Sequence, residues 1–305
     1  MREKILETTG LCKSYGDIKA VRGLDFYVEA GQLFAFLGPN GAGKSTTIDI
    51  LTTLREPDAG ETTVGGYRLG TENDRIRGIL GAVFQEGVLD GLLNVEDNLK
   101  IRGSFYSMRG RALEAAVAHT AKITGIEELL RRPYGKLSGG QRRRCDIARA
   151  LIHTPKILFL DEPTTGLDPQ TRRMIWQTIE DIRKQTGMTV FFSTHYMEEA
   201  AVADYVVVID HGKISAKGTP SEFKERYAKD RLILSAGNPE ALSVLLTRHG
   251  ISCRTSSGAV SVELASTLDA LPILDLCRNE ISGVEIMKGT MDDAFLAVTG
   301  KELRE

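Results

Sequence analysis

The stretch Gly38-Pro39-Asn40-Gly41-Ala42-Gly43-Lys44-Ser45-Thr46 constrains this chain more than any other segment of it. It fits GxxxxGK[ST], follows the apolar run Leu33–Leu37 directly, and leads into a helical pattern over residues 46–54. A strand feeding a glycine-rich turn that opens a helix is the context in which such a turn holds phosphate. The glycines let the backbone curl so that successive N–H groups point inward, and the helix N-terminus adds its partial positive charge. Lys44 can then reach β- and γ-phosphates, and the Ser45 hydroxyl suits Mg²⁺. Such a loop demands an α/β sheet with its ligand outside the carboxyl ends of the strands.

The surrounding pattern agrees. Up to about residue 225, short apolar runs alternate with helical stretches, which predicts a mostly parallel sheet covered on both faces. The clearest strands are Leu33–Leu37, 82–85, Ile157–Asp161, 189–193 and Tyr205–Asp210. Apolar runs without alternation suit strands buried on both sides. Ile157–Asp161 ends in the acid pair Asp161-Glu162, which places two carboxylates on the same sheet edge as Lys44. Asp161 is the expected Mg²⁺ holder and Glu162 the residue facing an attacking water. Between Asn94 and Leu130 no strong strand interrupts the helical pattern, so a helical insertion is expected, with Asn94 as a helix cap.

Beyond residue 228 the nucleotide-type motifs end. The order strand 231–235, helix 239–249, strand 251–254, strand Ala259–Leu264, helix 268–279, strand 284–288 and helix 291–298 predicts a small split-βαβ, ferredoxin-like module. Thr219-Pro220-Ser221-Glu222 carries a capping box for the helix before it. The domain expectation is therefore 1–228 and 229–305, with the second acting in regulation or interaction.

Composition limits the function classes. With 305 residues, about two domains are expected. Thirty-nine Lys plus Arg against 41 Asp plus Glu leave a net charge of -2, too small for a chain built to coat nucleic acid or an acidic membrane. Cys12, Cys145, Cys253 and Cys277 are far apart and lack zinc-type spacing, so reduced thiols are expected. Every apolar run falls short of the ~18 residues needed for a membrane span, and the opening Met-Arg-Glu-Lys-Ile-Leu-Glu has no apolar core of a signal peptide. Any membrane role is expected through a partner, with the chain peripheral at the cytoplasmic face.

Further motifs carry a family resemblance. Leu137-Ser138-Gly139-Gly140-Gln141, followed by a helix and the Asp161-Glu162 strand, resembles the signature of ATP-binding-cassette (ABC) ATPases. Its physical content is another anion site, a Ser hydroxyl and glycine N–H groups at a helix N-terminus. Gln85 resembles the Q-loop glutamine at a strand end, Gly166-Leu167-Asp168 the D-loop, His195 the switch histidine, and Tyr15 the aromatic that stacks on adenine. The resemblance spans about residues 4–225. It implies a P-loop ATPase cassette with a helical subdomain at about 86–152, binding ATP and Mg²⁺, the metal through Ser45, Gln85 and Asp161. It further implies a head-to-tail dimer in which each ATP lies between one P-loop and the other subunit's Ser138, Gly139 and Gly140. On that model Glu162 polarises water, Lys44 and His195 hold the γ-phosphate, Gln85 senses metal and water, and Asp168 communicates across the interface.

Finer matches resemble the daunorubicin-resistance type of ABC export ATPase, which works with a separate six-helix membrane subunit. They are Phe84-Gln85-Glu86, Leu89-Asp90, Asn94 to Leu99, His195-Tyr196-Met197-Glu198-Glu199-Ala200 and the tail 291–300. Departures are Asn94, where Thr is usual, and Tyr205 after Asp204, where Arg is common. The function implied is the ATP-hydrolysing subunit of an exporter of a drug, antibiotic or lipid-like compound. A soluble ABC ATPase acting on a scaffold or ribosome, and an import ATPase, are the alternatives. The segment 86–108, with Leu92, Leu93, Phe105 and Tyr106, is expected to pack partly inside the helical subdomain and partly against the membrane subunit. Arg142-Arg143-Arg144 reads as a solvated face of the signature helix rather than a nucleic-acid patch. His119, His153, His211 and His249 read as structural.

Overall fold

Strand β3 (Leu33–Leu37) is buried along its whole length, as an apolar run without alternation requires. It lies inside a six-stranded sheet of order β10-β9-β3-β8-β7-β6. The other members are β6 (Leu80–Val83), β7 (Ile157–Asp161), β8 (Thr189–Thr194), β9 (Tyr205–Asp210) and β10 (Lys213–Gly218). Pairing is parallel from β6 through β7, β8 and β3 to β9. The computed structural model describes residues 3–256 and 258–300.

A second, antiparallel sheet of order β2-β1-β4-β5 faces this one; the sequence reading did not contain it. It comprises β1 (Lys4–Tyr15), β2 (Ile18–Glu29), β4 (Ala59–Val64) and β5 (Tyr67–Arg68). Leu6, Leu24, Phe26 and Val28 from this sheet share one core with Phe34, Phe36, Phe159 and Phe191. Phe34 and Phe191 stack with ring centroids 5.1 Å apart, and Phe26 lies 5.7 Å from Phe34. Each such buried ring contributes about 1.5–3 kcal/mol over exposure. Helices α1 (Lys44–Leu51), α2 (Asn73–Ile79), α6 (Pro169–Thr186) and the short α7 (Met197–Ala200) complete this layer structure.

The helical insertion is present as α3 (Val95–Ser104), α4 (Gly110–Thr124) and α5 (Gly139–Leu151). Asn94 caps α3 by accepting from the Asp97 N–H. The three helices enclose a separate core of Val95, Leu99, Val117, Leu129, Cys145 and Ile152.

Contacts divide the chain into two compact units at Lys217/Gly218. The expectation of 228/229 placed helix α8 (Pro220–Tyr227) with the cassette. Instead α8 packs against the terminal helix α11 (Met291–Thr299) and counts with the second unit. The capping box of Thr219 and Glu222 is formed as expected.

That unit contains β11 (Asp230–Ala236), α9 (Pro239–Arg248), β12 (Cys253–Ser256), β13 (Ala259–Leu264), α10 (Ala270–Cys277) and β14 (Ile281–Met287). Its sheet order β12-β13-β11-β14, antiparallel throughout, is that of a ferredoxin-like split βαβ. Leu232, Leu234, Val260 and Val262 form its core with Leu242 and Leu246.

Candidate functional site

The loop between β3 and α1 wraps a cavity of about 440 Å³. Its walls are Asn40, Gly41, Gly43, Lys44, Ser45 and Thr46 from the loop, Gln85 from the segment after β6, Glu162 and Thr165 after β7, and His195 after β8. Parallel strand order alone brings these four segments to one sheet edge. Gly43 stands at φ 105°, where a Cβ would also sit 2.4 Å from the Ala20 carbonyl. At Gly38 a Cβ would meet the Ile209 carbonyl at 2.3 Å, so neither position admits a side chain. Helix α1 begins at Lys44, two residues before the sequence pattern suggested, so the amides of Lys44, Ser45 and Thr46 belong to its first turn.

Lys44 is 4% exposed, and its Nζ donates to the carbonyls of Gly38 at 2.8 Å and Pro39 at 3.1 Å. It also lies 3.2 Å from Glu162 Oε1. Burial lowers the Lys44 pKa, with Glu162 and Asp161 opposing. For Glu162, burial raises the pKa, but Lys44 and then His195 outweigh it, so the carboxyl stays below its ordinary range and ionised. His195 Nδ1 lies 3.2 Å from the same Oε1, without the alignment of a hydrogen bond. Thr165 Oγ1 donates to the other oxygen, Oε2, at 3.1 Å.

Asp161 is buried at the end of β7, where Ser193 Oγ donates to Oδ1 and Ser45 lies within hydrogen-bonding range. Burial raises its pKa, leaving a carboxylate short of cationic compensation. Hydroxyl, amide oxygen and carboxylate from Ser45, Gln85 and Asp161 are hard oxygen donors, the chemistry Mg²⁺ takes when phosphates complete its shell. Among the described residues no cluster of three or more His, Cys, Asp or Glu could hold a metal alone.

Several candidates lie elsewhere than expected or outside this cavity. Gln85 is not a strand end; β6 stops at Val83, and Gln85 sits in the following loop, still lining the cavity. Tyr15 ends β1, 39% exposed, with the Arg55 guanidinium 5.5 Å from its ring centroid. Ser138, Gly139 and Gly140 are absent from the cavity wall of their own chain. Ser138 caps α5 in a capping box, accepting from the Gln141 N–H while Gln141 Oε1 accepts from the Ser138 N–H. The Ser138 hydroxyl proton and the first-turn amides of Gly139 and Gly140 have no partner from within the helix. Asp168 likewise caps α6, accepting from the Gln170 and Thr171 amides. Pro39 and Ala42 do not line the cavity; the Pro39 carbonyl accepts from Lys44, and Ala42 is buried.

The structure also corrects the reading of the arginine run and adds two residues. Arg143 is not on a solvated face: it is 7% exposed, and its guanidinium donates to the carbonyls of Phe84, Gln85 and Glu162. A triple-Arg run reads as surface because charge usually is; only the turn of α5 toward β6 and β7 buries the middle one. Glu199, quoted earlier only as a family match, is buried and accepts from Thr164 Oγ1 and, at 2.6 Å, from Thr194 Oγ1. It thereby ties the segment after Glu162 to the one before His195. Ser193 was read only as a strand residue; its hydroxyl bonds both Asp161 and the Glu162 N–H. Glu162 itself has φ 46°, a left-handed conformation that costs a non-glycine residue about 1–2 kcal/mol.

A phosphate cradle at a helix start, a buried Lys–Glu pair and an Asp at the adjoining strand end define a P-loop nucleotide hydrolase. The chain belongs to the ABC transporter family, and it is an ATP-binding, ATP-hydrolysing cassette. The ABC transporter family profile matches residues 21–165. Over full length the chain is 35% identical to daunorubicin resistance ATP-binding protein DrrA3 of Streptomyces coeruleorubidus, covering 100% of this chain and 98% of that protein. It is 34% identical to Nod factor export ATP-binding protein I of Rhizobium sp. (strain N33), covering 100% of both. It is 33% identical to linearmycin resistance ATP-binding protein LnrL of Bacillus subtilis (strain 168), covering 99% and 100%. Among solved structures, cbiO1 of Clostridium perfringens, part of the cbiONQ transporter complex, superposes with a TM-score of 0.68 at 27% identity, covering 82% of this chain and 98% of that one. An ATP-binding cassette solved as a dimer in a post-hydrolysis state with ADP and Pi gives a TM-score of 0.65 at 27% identity, covering 70% and 98%.

Proposed function

We propose that this chain energises export of a drug, antibiotic or lipid-like compound through a separate membrane subunit. The observation that carries the proposal is the convergence of Lys44, Ser45, Gln85, Glu162 and His195 on one nucleotide-sized cavity, with Asp161 buried beside Ser45. Full-length similarity to resistance and export proteins supports the cargo class and the direction.

In this reading the loop amides and Lys44 bind the phosphates, Ser45, Gln85 and Asp161 hold Mg²⁺, and Glu162 accepts the proton of the attacking water. Magnesium, when bound, neutralises charge on the phosphate oxygens. His195, beside Glu162, and the unpaired donors of a second subunit's Ser138, Gly139 and Gly140 close over the γ-phosphate. Tyr15 supplies a face for adenine. Glu162→Gln keeps the side chain's shape and removes the base. Hydrolysis should fall by roughly 10²–10⁴-fold while ATP still binds. Turnover near the wild-type rate would move the base elsewhere.

Among the described residues no helix is long and apolar enough to cross a membrane, so membrane contact is proposed through the partner, at the cytoplasmic face. The segment 86–108 splits in two. Tyr106 turns inward and stacks on His153 at 3.8 Å, whereas Leu92 and Phe105 stand 92% and 72% exposed. Val88 and Ile101 are exposed as well, and these four are the side chains offered to a short helix of the membrane subunit. Single cysteines at 88, 92, 101 and 105 should cross-link to the co-expressed partner. A transport-competent complex that cross-links at none of them places the dock elsewhere.

A further inference from the structure

Arg143 enters the interior from α5, the helix whose first turn carries Ser138, Gly139 and Gly140. One terminal nitrogen, Nη1, donates to the Phe84 carbonyl at 2.6 Å. The other, Nη2, reaches the Glu162 carbonyl at 3.0 Å and the Gln85 carbonyl at 3.4 Å. One rigid, permanently charged fork thus spans three segments: the signature helix, the loop bearing Gln85 and the turn bearing Glu162. Arg149, two turns on, similarly donates to the Ala82 carbonyl of β6.

The Glu162 contact falls where the backbone most needs holding. Glu162 sits at φ 46°, its N–H donates to Ser193 Oγ at 3.0 Å, and its carbonyl is the acceptor for Arg143. Both flanking peptide groups are therefore fixed by side chains from other segments. Asp146, also on α5, and Asp161 supply the negative field that keeps a buried guanidinium tolerable. Arg143 bonds neither the phosphate loop nor Lys44, and it does not line the nucleotide cavity.

We infer that Arg143 is a positioning residue that holds Gln85 and Glu162 in register with the signature helix. The inference rests on Glu162 being the base. A displacement of the Gln85 loop or of Glu162 is passed through this fork to α5, and so to the donors offered to a second subunit. The predicted signature is a split between binding and turnover. Nucleotide affinity depends on the phosphate loop and stays, whereas turnover depends on geometry that the fork maintains.

The test uses the full-length chain with Arg143→Ala and Arg143→Lys, beside Glu162→Gln. ADP affinity by calorimetry should remain within about twofold of wild type, and kcat should fall by about 10²-fold, the scale of a displacement of roughly 1 Å at a catalytic group. KM for ATP should change little. Guanidinium chloride at tens of millimolar should restore at least tenfold of the Arg143→Ala turnover relative to NaCl at equal ionic strength, since it refills a hole rimmed by three carbonyls. Arg143→Lys, which keeps a charge and the stem, should retain more turnover than Arg143→Ala and gain nothing from guanidinium. The inference is overturned if Arg143→Ala turns over at the wild-type rate. It is equally overturned if ADP affinity falls in parallel with kcat in both variants and guanidinium restores nothing. Normal turnover in Glu162→Gln would reject the base assignment alone, because the rescue measurement does not use that variant.

Discussion

Replacing Glu162 by Gln should weaken the nucleotide-free protein and tighten ADP, by related amounts. Lys44 Nζ and Glu162 Oε1 are 3.2 Å apart and both side chains are nearly sealed from water. Removing one member of a buried ion pair costs about 3–5 kcal/mol when nothing replaces it. Here Gly38 and Pro39 still accept from Lys44, Asp161 stays nearby and the amide retains an oxygen, so about 1–2 kcal/mol is the better figure. With ADP bound, phosphate is the counter-charge of Lys44 in both proteins, and the deficit disappears. The cycle then requires ADP affinity to rise by the same free energy, about 5–30-fold. ADP is the right probe because neither hydrolysis nor closure on a γ-phosphate intervenes. Urea denaturation with and without ADP, together with calorimetry, measures both sides of the cycle. Tighter ADP with an unchanged urea midpoint would mean that only carboxylate–phosphate repulsion had been relieved, and the stabilising pair would be refuted.

Lys44→Ala should weaken ATP and ADP together, whereas Tyr15→Ala should cost only about 0.5–1.5 kcal/mol and affect ATP and GTP alike; calorimetry on both variants separates them. Ser138→Asp keeps a good helix cap but sets a negative charge in the seat proposed for a second subunit's γ-phosphate. Its melting temperature should stay near wild type while ATP-driven dimerisation, followed by light scattering in the Glu162→Gln background, is lost. His153 is pushed down to about 4 by burial, helped by Arg102 and Arg149 and opposed by its bond to the Leu80 carbonyl. The unfolded chain therefore binds the extra proton between about pH 6.5 and 4, so stability should fall as pH drops through that window. After allowance for partial exposure the loss is about 1–3 kcal/mol, and His153→Phe should flatten it in urea midpoints measured at pH 7 and 5.

What was legible in the sequence follows from the kind of signal each feature leaves. The β3 strand and its glycine loop are local: the apolar run, the glycines and Lys44 lie within twelve consecutive residues, and each has a steric or electrostatic reason to be there. The C-terminal βαββαβ order was readable because turns and caps such as Ser266 and Thr290 separate its elements. The antiparallel sheet was not, because β1 and β2 alternate exposed and buried residues irregularly across several register shifts. The burial of Arg143 was invisible for a different reason. Its partners are backbone carbonyls, which have no sequence identity, and they lie 59, 58 and 19 residues away.

That last point bears on how the site is built. The side chains proposed to do chemistry were named from the sequence, but those that hold them were not. Glu162 owes its position to Ser193, Thr165 and Arg143, and the loop leading to His195 owes its position to Glu199 through Thr194 and Thr164. These supports come from β8, α5 and α7, so the edge that strand order assembles is held in detail by a neighbouring strand and two helices. The signature segment shows the complementary arrangement. Ser138 spends a lone pair on capping α5 and keeps its proton, and the first-turn amides beside it have no acceptor from within the helix. Donors left over in this way are useful only to an anion arriving from outside the chain. The cradle holds the opposite deficit, a Lys44 that borrows Glu162 and two loop carbonyls as partners until phosphate comes. In the dimer proposed above, a nucleotide bound in the cradle and met by the other subunit's signature helix would satisfy both deficits at once, and neither subunit would do so alone.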